Sequence, residues 1–277
     1  MSYFSLPCAN PNYEMVAIPA FEDNYIWLYI NKKTATAIVV DPGDGMAALG
    51  VVVSYNVQIS AILITHHHSD HSAGIYKLVH WLCGEDNTLT DLIPVYGPKR
   101  EWIPQVTHKL SDGDVVSIPD FDPFTILSIP GHTKGHIAYH STYAGTLFCG
   151  DTLFTGGCGR LFEGTPAKLF NSLQKINALP LETLIYCGHE YTEKNLAFAL
   201  TVEPNNVDLQ ERYKAVCALR KKKQPTVPST LLTEQQTNPF LRTRSKEIVA
   251  HVSQALGRSD LSEVEIFATL RSWKDNF

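Results

Sequence analysis

Thr65-His66-His67-His68-Ser69-Asp70-His71 packs four histidines and an aspartate into seven residues. The stretch follows directly on the apolar run Ala61-Ile62-Leu63-Ile64, and a row of polar residues cannot continue a core strand, so it reads as a loop at a strand end. The same arrangement recurs along the chain. Ala37-Ile38-Val39-Val40 runs into Asp41-Pro42-Gly43, and Ile126-Leu127-Ser128-Ile129 into Pro130-Gly131-His132. Thr146-Leu147-Phe148-Cys149 meets Gly150-Asp151, and Leu184-Ile185-Tyr186-Cys187 meets Gly188-His189. Each is a short buried strand that stops abruptly at turn or ligand-type residues. Ile75, Leu78, Val79 and Leu82 fall at i, i+3, i+4 and i+7, one face of a helix. Strands and helices mixed in this way predict a layered α/β domain.

His66, His68, Asp70, His71, His132, Asp151 and His189 all stand just after predicted strands. A fold that gathers those strand ends places seven ligand-type side chains around one point, too many for one tetrahedral zinc and suited to two metals sharing a carboxylate. In an extended loop alternate residues point the same way, so His66 and His68 reach one metal while His67 faces elsewhere and is not a ligand. Asp70 and His71, one turn further, address a second metal. Carboxylate and imidazole together favour zinc, with iron or manganese as alternatives. His136 is read as a hydrogen bonder behind the ligands, and His80, His108, His140 and His251 as structural.

The whole chain bounds the function class. Its 277 residues fit one large domain or a domain with an appendage. No apolar stretch is long enough to span a bilayer, and the N-terminus lacks the features of a signal or transit peptide, so a cytoplasmic protein is expected. Six cysteines without a CxxC pair indicate neither a disulfide framework nor a cysteine zinc site; they read as mostly reduced, buried thiols. Residues 1–191 carry 10 Lys+Arg against 18 Asp+Glu, and residues 192–277 carry 13 against 10. An acidic main part disfavours nucleic acid, whereas a basic tail can meet a small anionic ligand. Beyond about Tyr191 the pattern turns helical, over roughly Glu193–Thr201, Val207–Lys223 and Lys246–Leu256, with a Pro-containing stretch from Gln224 to Pro239. Ser262-Glu263-Val264-Glu265 fits a capping box opening the last helix, and no strand is expected in this tail.

The motifs THHHSDH, PGHTKGH, CGDTLF and CGHEYT, in this order, resemble the metallo-β-lactamase superfamily. The resemblance implies a four-layer αββα sandwich with the metal site at one edge of its two sheets. Residues 1–191 are expected to form it, and residues 192–277 a C-terminal α-helical substrate-binding domain. Carried over by position, His66, His68 and His132 hold one metal, Asp70, His71 and His189 the other, and Asp151 bridges both. Asp41 resembles the family's buried aspartate that supports the ligand loops.

One branch is matched in particular. Phe21-Glu22-Asp23-Asn24-Tyr25, Gly157-Cys158-Gly159-Arg160-Leu161-Phe162-Glu163-Gly164, Pro225-Thr226-Val227-Pro228-Ser229-Thr230 and Asn238-Pro239-Phe240 are similar to the glyoxalase II, or hydroxyacylglutathione hydrolase, family. Membership implies hydrolysis of S-D-lactoylglutathione to D-lactate and glutathione, in methylglyoxal detoxification; from charge and hydropathy no nucleic-acid or membrane partner is expected, and the chain is expected to be a monomer. The implied glutathione contacts are Arg160 to Phe162, Tyr191, and Arg271 with Lys274, which share one helical face. Where some relatives have lysine and tyrosine this chain has Arg160 and Phe162, so the charge is kept and a hydrogen bond from residue 162 is excluded. Cys83 to Pro94 looks like a surface insertion, and Arg220-Lys221-Lys222-Lys223 like the water-exposed end of a helix.

Water bridging two divalent cations loses a proton near neutral pH, which supplies a nucleophile without serine or cysteine. The resemblance thus predicts attack of this hydroxide on the thioester carbonyl, with Asp70 and Asp151 as the catalytic carboxylates: Asp70 orients the nucleophile and Asp151 holds the metals. An RNA-processing nuclease of the same superfamily is the main rival, and the acidic first 191 residues count against it. A β-lactamase or a persulfide dioxygenase fits less well because those families lack the helical tail. A metal-dependent binding module is the non-enzymatic alternative.

Overall fold

The computed structural model describes residues 3–83 and 93–277. The insertion read between Cys83 and Pro94 falls on residues 84–92, outside those described. The chain divides into two compact units, Met1–Ser128 with Gly135–Gly150, and Ile129–Lys134 with Asp151–Phe277. By packing, residues 129–134 and 151–191 therefore group with the helices of the tail.

In the first unit, β1 (Phe4–Pro7), β2 (Tyr13–Ala20), β3 (Asn24–Asn31), β4 (Thr36–Val40), β5 (Gln58–Leu63), β6 (Val95–Pro98) and β7 (His108–Leu110) form one sheet in sequence order. β1 to β4 pair antiparallel, and β4 to β7 parallel. Parallel pairing needs a crossover, supplied by α1 (Gly45–Tyr55) between β4 and β5; α2 (Ser69–Ser72) and α3 (Ile75–Cys83) follow β5. Parallel register sets Val40 opposite Leu63, so the chain leaves both strands at the same edge, at Asp41 and at Thr65-His66. This is how two stretches far apart in sequence reach one place.

β3 is buried on both faces. Ile26, Leu28 and Ile30 join Val51, Val52, Leu78 and Val79 in the core beneath α1 and α3. On the alternate face Tyr29 meets Phe148 at 6.3 Å between ring centroids. Phe148 belongs to a second, antiparallel set of strands, β8 (Val115–Val116), β9 (Phe124–Ser128), β10 (Ile137–Ser141) and β11 (Thr146–Gly150). The Tyr139 hydroxyl on β10 donates to the Ile64 carbonyl at 2.9 Å, tying the two layers together behind the histidine loop. A helix layer and two strand layers thus lie within this unit.

The second unit opens with the hairpin β12 (Leu153–Phe154) and β13 (Gly157–Cys158), followed by α4 (Pro166–Asn177) and β14 (Leu184–Cys187). Its tail holds α5 (Thr192–Val202), α6 (Val207–Lys221), β15 (Ser229–Thr230), α7 (Leu231–Thr237), α8 (Lys246–Leu256) and α9 (Glu263–Asp275). The tail is not free of strand: β15 pairs antiparallel with β14, Leu184 opposite Thr230. Two residues carry no alternation signal, so this strand leaves no trace in the sequence pattern. α7 is likewise unannounced, in a stretch read as a Pro-containing separator; it begins at Thr230, whose side chain accepts from the Thr233 amide. The capping box at Ser262 and Glu265 is formed in full. Among the described residues, no helix is long and apolar enough to cross a membrane.

Candidate functional site

The first unit builds its donors on the loop after β5. Asp41, at the end of β4, is 3% exposed and takes a left-handed φ of 50°. Its Oδ1 accepts from the Thr65 amide at 2.8 Å, and its Oδ2 from the Thr65 hydroxyl at 2.6 Å and from His71 Nδ1 at 3.0 Å. The Thr65 hydroxyl spends its one proton on Asp41, so at 3.1 Å it can only accept from His66 Nδ1. His66 and His71 therefore both carry their proton on Nδ1 and present Nε2 as a lone-pair nitrogen. Both rings are buried, 4.2 Å apart, and the His66 ring lies 4.7 Å from that of His68.

Asp70 and His71 stand on the short helix α2, half-buried and buried respectively. Asp70 Oδ2 accepts from Asn24 Nδ2 at 2.8 Å and lies 3.4 Å from His71 Nε2. A carboxylate oxygen facing an imidazole lone pair is acceptor against acceptor, an arrangement that a divalent cation between them resolves. His67 turns to Glu101, whose Oε2 accepts from the His67 amide at 2.6 Å and lies 3.0 Å from His67 Nδ1. Glu101 Oε1 accepts from the Gly135 amide at 2.9 Å. Buried His136 stacks on His66 at 4.6 Å, with Nδ1 3.1 Å from the Ile137 carbonyl.

The second unit brings His132, Asp151 and His189 together. Asp151 Oδ2 lies 3.6 Å from His132 Nε2 and 3.2 Å from His189 Nε2, and all three are about 5% exposed or less. His132 Nδ1 donates to the Arg160 carbonyl at 2.9 Å, so this ring too directs its Nε2 lone pair at a carboxylate. Both donor sets, imidazole nitrogens beside a carboxylate, are suited to holding divalent cations.

The expected substrate residues sit in the same unit. Phe162 is exposed and meets the His132 ring edge-on at 5.2 Å, and Tyr191 stacks on His189 at 4.7 Å and 5°. Arg160 is exposed, with Nε 3.6 Å from Asp275 Oδ1. Arg271 is 4% exposed, below the surface position that a recognition cation suggests. Its Nη1 donates to the Cys158 carbonyl at 2.7 Å and its Nη2 lies 3.0 Å from Asp275 Oδ1. Lys274 is half-buried over the rings of Phe198 and Phe277, and burial, helped by the nearby charge of Arg271, lowers its pKa to about 8.

Sequence reasoning gave no role to Asn24, Glu101, Glu190 or Asp275. Glu190 accepts from the Thr226 amide at 2.9 Å and from its hydroxyl at 2.5 Å, and Arg220 Nη1 lies 3.5 Å away. Arg220 is thus half-buried and ion-paired rather than part of an exposed run; Lys221, Lys222 and Lys223 are exposed as expected. Asn24 and Glu190 lie inside motifs that were noticed, but nothing in the local pattern signals what they touch. Of the cysteines whose side chains are described, Cys149, Cys158 and Cys187 are buried, Cys8 and Cys217 half-buried, and none of the five is in a disulfide.

A family model described as the hydroxyacylglutathione hydrolase C-terminus matches residues 190–277, and one described as the metallo-beta-lactamase superfamily matches residues 22–189. The hydroxyacylglutathione hydrolase of Aliivibrio fischeri (strain MJ11) is 48% identical over 261 residues, covering 94% of this chain and 98% of the relative. The chain belongs to the hydroxyacylglutathione hydrolase family. The α/β metallo-β-lactamase fold with a C-terminal helical region stands accordingly. Among solved structures, ETHE1 from Myxococcus xanthus shares the fold, with a TM-score of 0.62 and 21% identity over 99% of this chain and 98% of that one. TTHA1623 in a di-iron-bound form matches this family member with a TM-score of 0.54 and 26% identity, over 79% of this chain and 95% of that one.

Proposed function

We propose that the protein hydrolyses S-D-lactoylglutathione and related 2-hydroxyacyl glutathione thioesters to D-lactate and glutathione, the second step of methylglyoxal detoxification. The observation that carries this reading is the reach of the match to a hydroxyacylglutathione hydrolase, 94% of this chain and 98% of the relative at 48% identity. Residues 1–191 are assigned the metal centre and residues 192–277 the binding of substrate, a division supported by the two family models, which meet between residues 189 and 190.

His66, His68 and His132 are assigned to one divalent cation, Asp70, His71 and His189 to a second, with Asp151 shared. The Nδ1 protons fixed by Thr65, Asp41 and the Arg160 carbonyl support the assignment, because each leaves Nε2 as the ligand nitrogen. Zinc is preferred for this imidazole and carboxylate set. When bound, such cations supply a water ionised near neutral pH and a sink for the charge that develops on the thioester carbonyl.

The protein's own groups do the rest. Asp70, steadied by Asn24, accepts a hydrogen bond from the attacking water and orients it. The water oxygen, having given up one proton to solvent, bonds to the carbonyl carbon as the carbon–sulfur bond breaks; glutathione leaves as a thiolate and takes up the proton of the new carboxylic acid, and with free thiols at a pKa of about 8.5 it needs little acid assistance. Arg160 and Lys274 meet the glutathione carboxylates, while Phe162 and Tyr191 flank the histidines and limit access of water. Arg271 holds the backbone at Cys158 from beneath.

The protein is read as a cytoplasmic monomer without a nucleic-acid partner. The test of function is steady-state release of thiol and D-lactate from S-D-lactoylglutathione. Saturable turnover supports the reading; none, with binding of tRNA in a gel shift instead, overturns it.

A further inference from the structure

Glu234 on α7 is fully buried, yet it is not a group of the metal centre. Its Oε1 accepts from Arg212 Nη2 at 2.5 Å, and its Oε2 from the Gly156 amide at 2.8 Å and from Asn238 Nδ2 at 2.9 Å. The same Asn238 nitrogen reaches the carbonyls of Phe154 at 3.1 Å and Gly157 at 2.9 Å. Arg212 comes from α6 and also engages the hydroxyls of Ser229 and Thr237. A buried ion pair adds little stability over apolar packing, so its use is read from what it holds. What this one grips is the backbone of the β12–β13 hairpin.

The exit of that hairpin leads to the substrate residues. A Cβ at Gly159 would stand 2.0 Å from the Asp151 carbonyl oxygen and 3.1 Å from His132 Nδ1, so the chain passes here at closest approach. The next carbonyl, that of Arg160, accepts from His132 Nδ1. Because the Arg160 carbonyl is held by His132 Nδ1, loosening of the hairpin is taken up by the direction of the exposed Arg160 side chain, and a misplacement of about 1 Å is enough to weaken an oriented contact.

We propose that Glu234, supported by Arg212 and Asn238, is a positioning residue: it fixes the hairpin so that the Arg160 guanidinium meets a carboxylate of the glutathione moiety. This rests on the function proposed above. The test is a double-mutant cycle of Glu234→Ala and Arg160→Ala, read as KM and kcat for S-D-lactoylglutathione with metal content measured alongside.

Glu234→Ala is expected to raise KM about tenfold with kcat within about threefold, and to add little once Arg160 is alanine, as coupled neighbours do. Metal content stays unchanged, and Glu234→Gln, which keeps an acceptor for the Gly156 amide but turns a donor toward Arg212, restores part of the loss. An unchanged KM, additive effects, or a parallel fall of kcat and metal content overturns the proposal. If Glu234→Ala does not fold, Arg212→Lys keeps the charge and loses the fork, and its effect on KM must show the same dependence on Arg160; additivity there overturns the proposal equally. Wild-type protein that leaves S-D-lactoylglutathione intact overturns the function instead.

Discussion

Asp41 accepts three hydrogen bonds through two buried oxygens, from the Thr65 amide, the Thr65 hydroxyl and His71 Nδ1. Asp41→Asn replaces one acceptor by a donor of nearly the same size. His71 then has reason to move its proton to Nε2, which removes its ligand lone pair. Metal affinity is expected to fall about 10- to 100-fold, measured by chelator competition; wild-type affinity speaks against this role. Lys274 gives a second residue-scale prediction. Burial holds its pKa down to about 8, so its charge is present at pH 7 and fades as pH rises through 8. KM for the glutathione thioester should climb between pH 7 and 9, and Lys274→Met should raise KM at pH 7 and flatten that climb. Parallel pH profiles in the two proteins remove Lys274 from recognition. The ligand-type residues were legible because they stand at strand ends or, for Asp70 and His71, on the short helix α2 that follows one; Asn24 and Glu101 were not, since a supporting side chain leaves no periodic mark.

At the scale of elements, the segment after β4 and the helices after β5 meet backbone to backbone. A Cβ on Gly43 would lie 1.7 Å from the Asp70 carbonyl oxygen, so no side chain fits without moving α2. Gly43→Ala is expected to displace Asp70 and His71 together and to reduce metal content and turnover in step; normal occupancy with full activity shows that the loop yields at no cost. Strands β4, β5, β9, β11 and β14 and helices α3, α5, α6, α8 and α9 were readable from period and from the residues at which their runs stop, whereas α1 and α4, though longer than ten residues, were not read. β15 and α7 were not, because two and seven residues are too few to show a period and the prolines around them read as breakers. The position of α7 matters to the site only through contacts remote in sequence, Glu234 to Gly156 and Asn238 to Phe154, which no local pattern encodes.

At the scale of the molecule, the net charge of −5 and the acidic first 191 residues agree with a small-molecule substrate more than with a nucleic acid. Stability of the second unit should depend on pH through Glu203. Burial raises its pKa, but the hydrogen bonds from Arg242, Ser245 and Asn206 outweigh burial, and the net shift is downward. A lowered folded pKa means that this contribution is complete above the unfolded value of about 4.3 and is lost as pH falls through the folded one. Glu203→Gln should cost about 1–3 kcal/mol at pH 7, with the difference in Tm shrinking below about pH 4. A constant difference down to pH 3 assigns the effect to packing. The distribution of charge between main part and tail was plain from composition, whereas the grouping of residues 151–191 with the tail emerges only from packing.

The most direct measurement is metal content together with S-D-lactoylglutathione turnover, on matched preparations of wild type and Asp151→Ala. The account predicts about two divalent ions per wild-type chain with steady hydrolysis, and loss of paired occupancy and nearly all turnover in the variant. An Asp151→Ala protein that keeps both ions and full activity contradicts it.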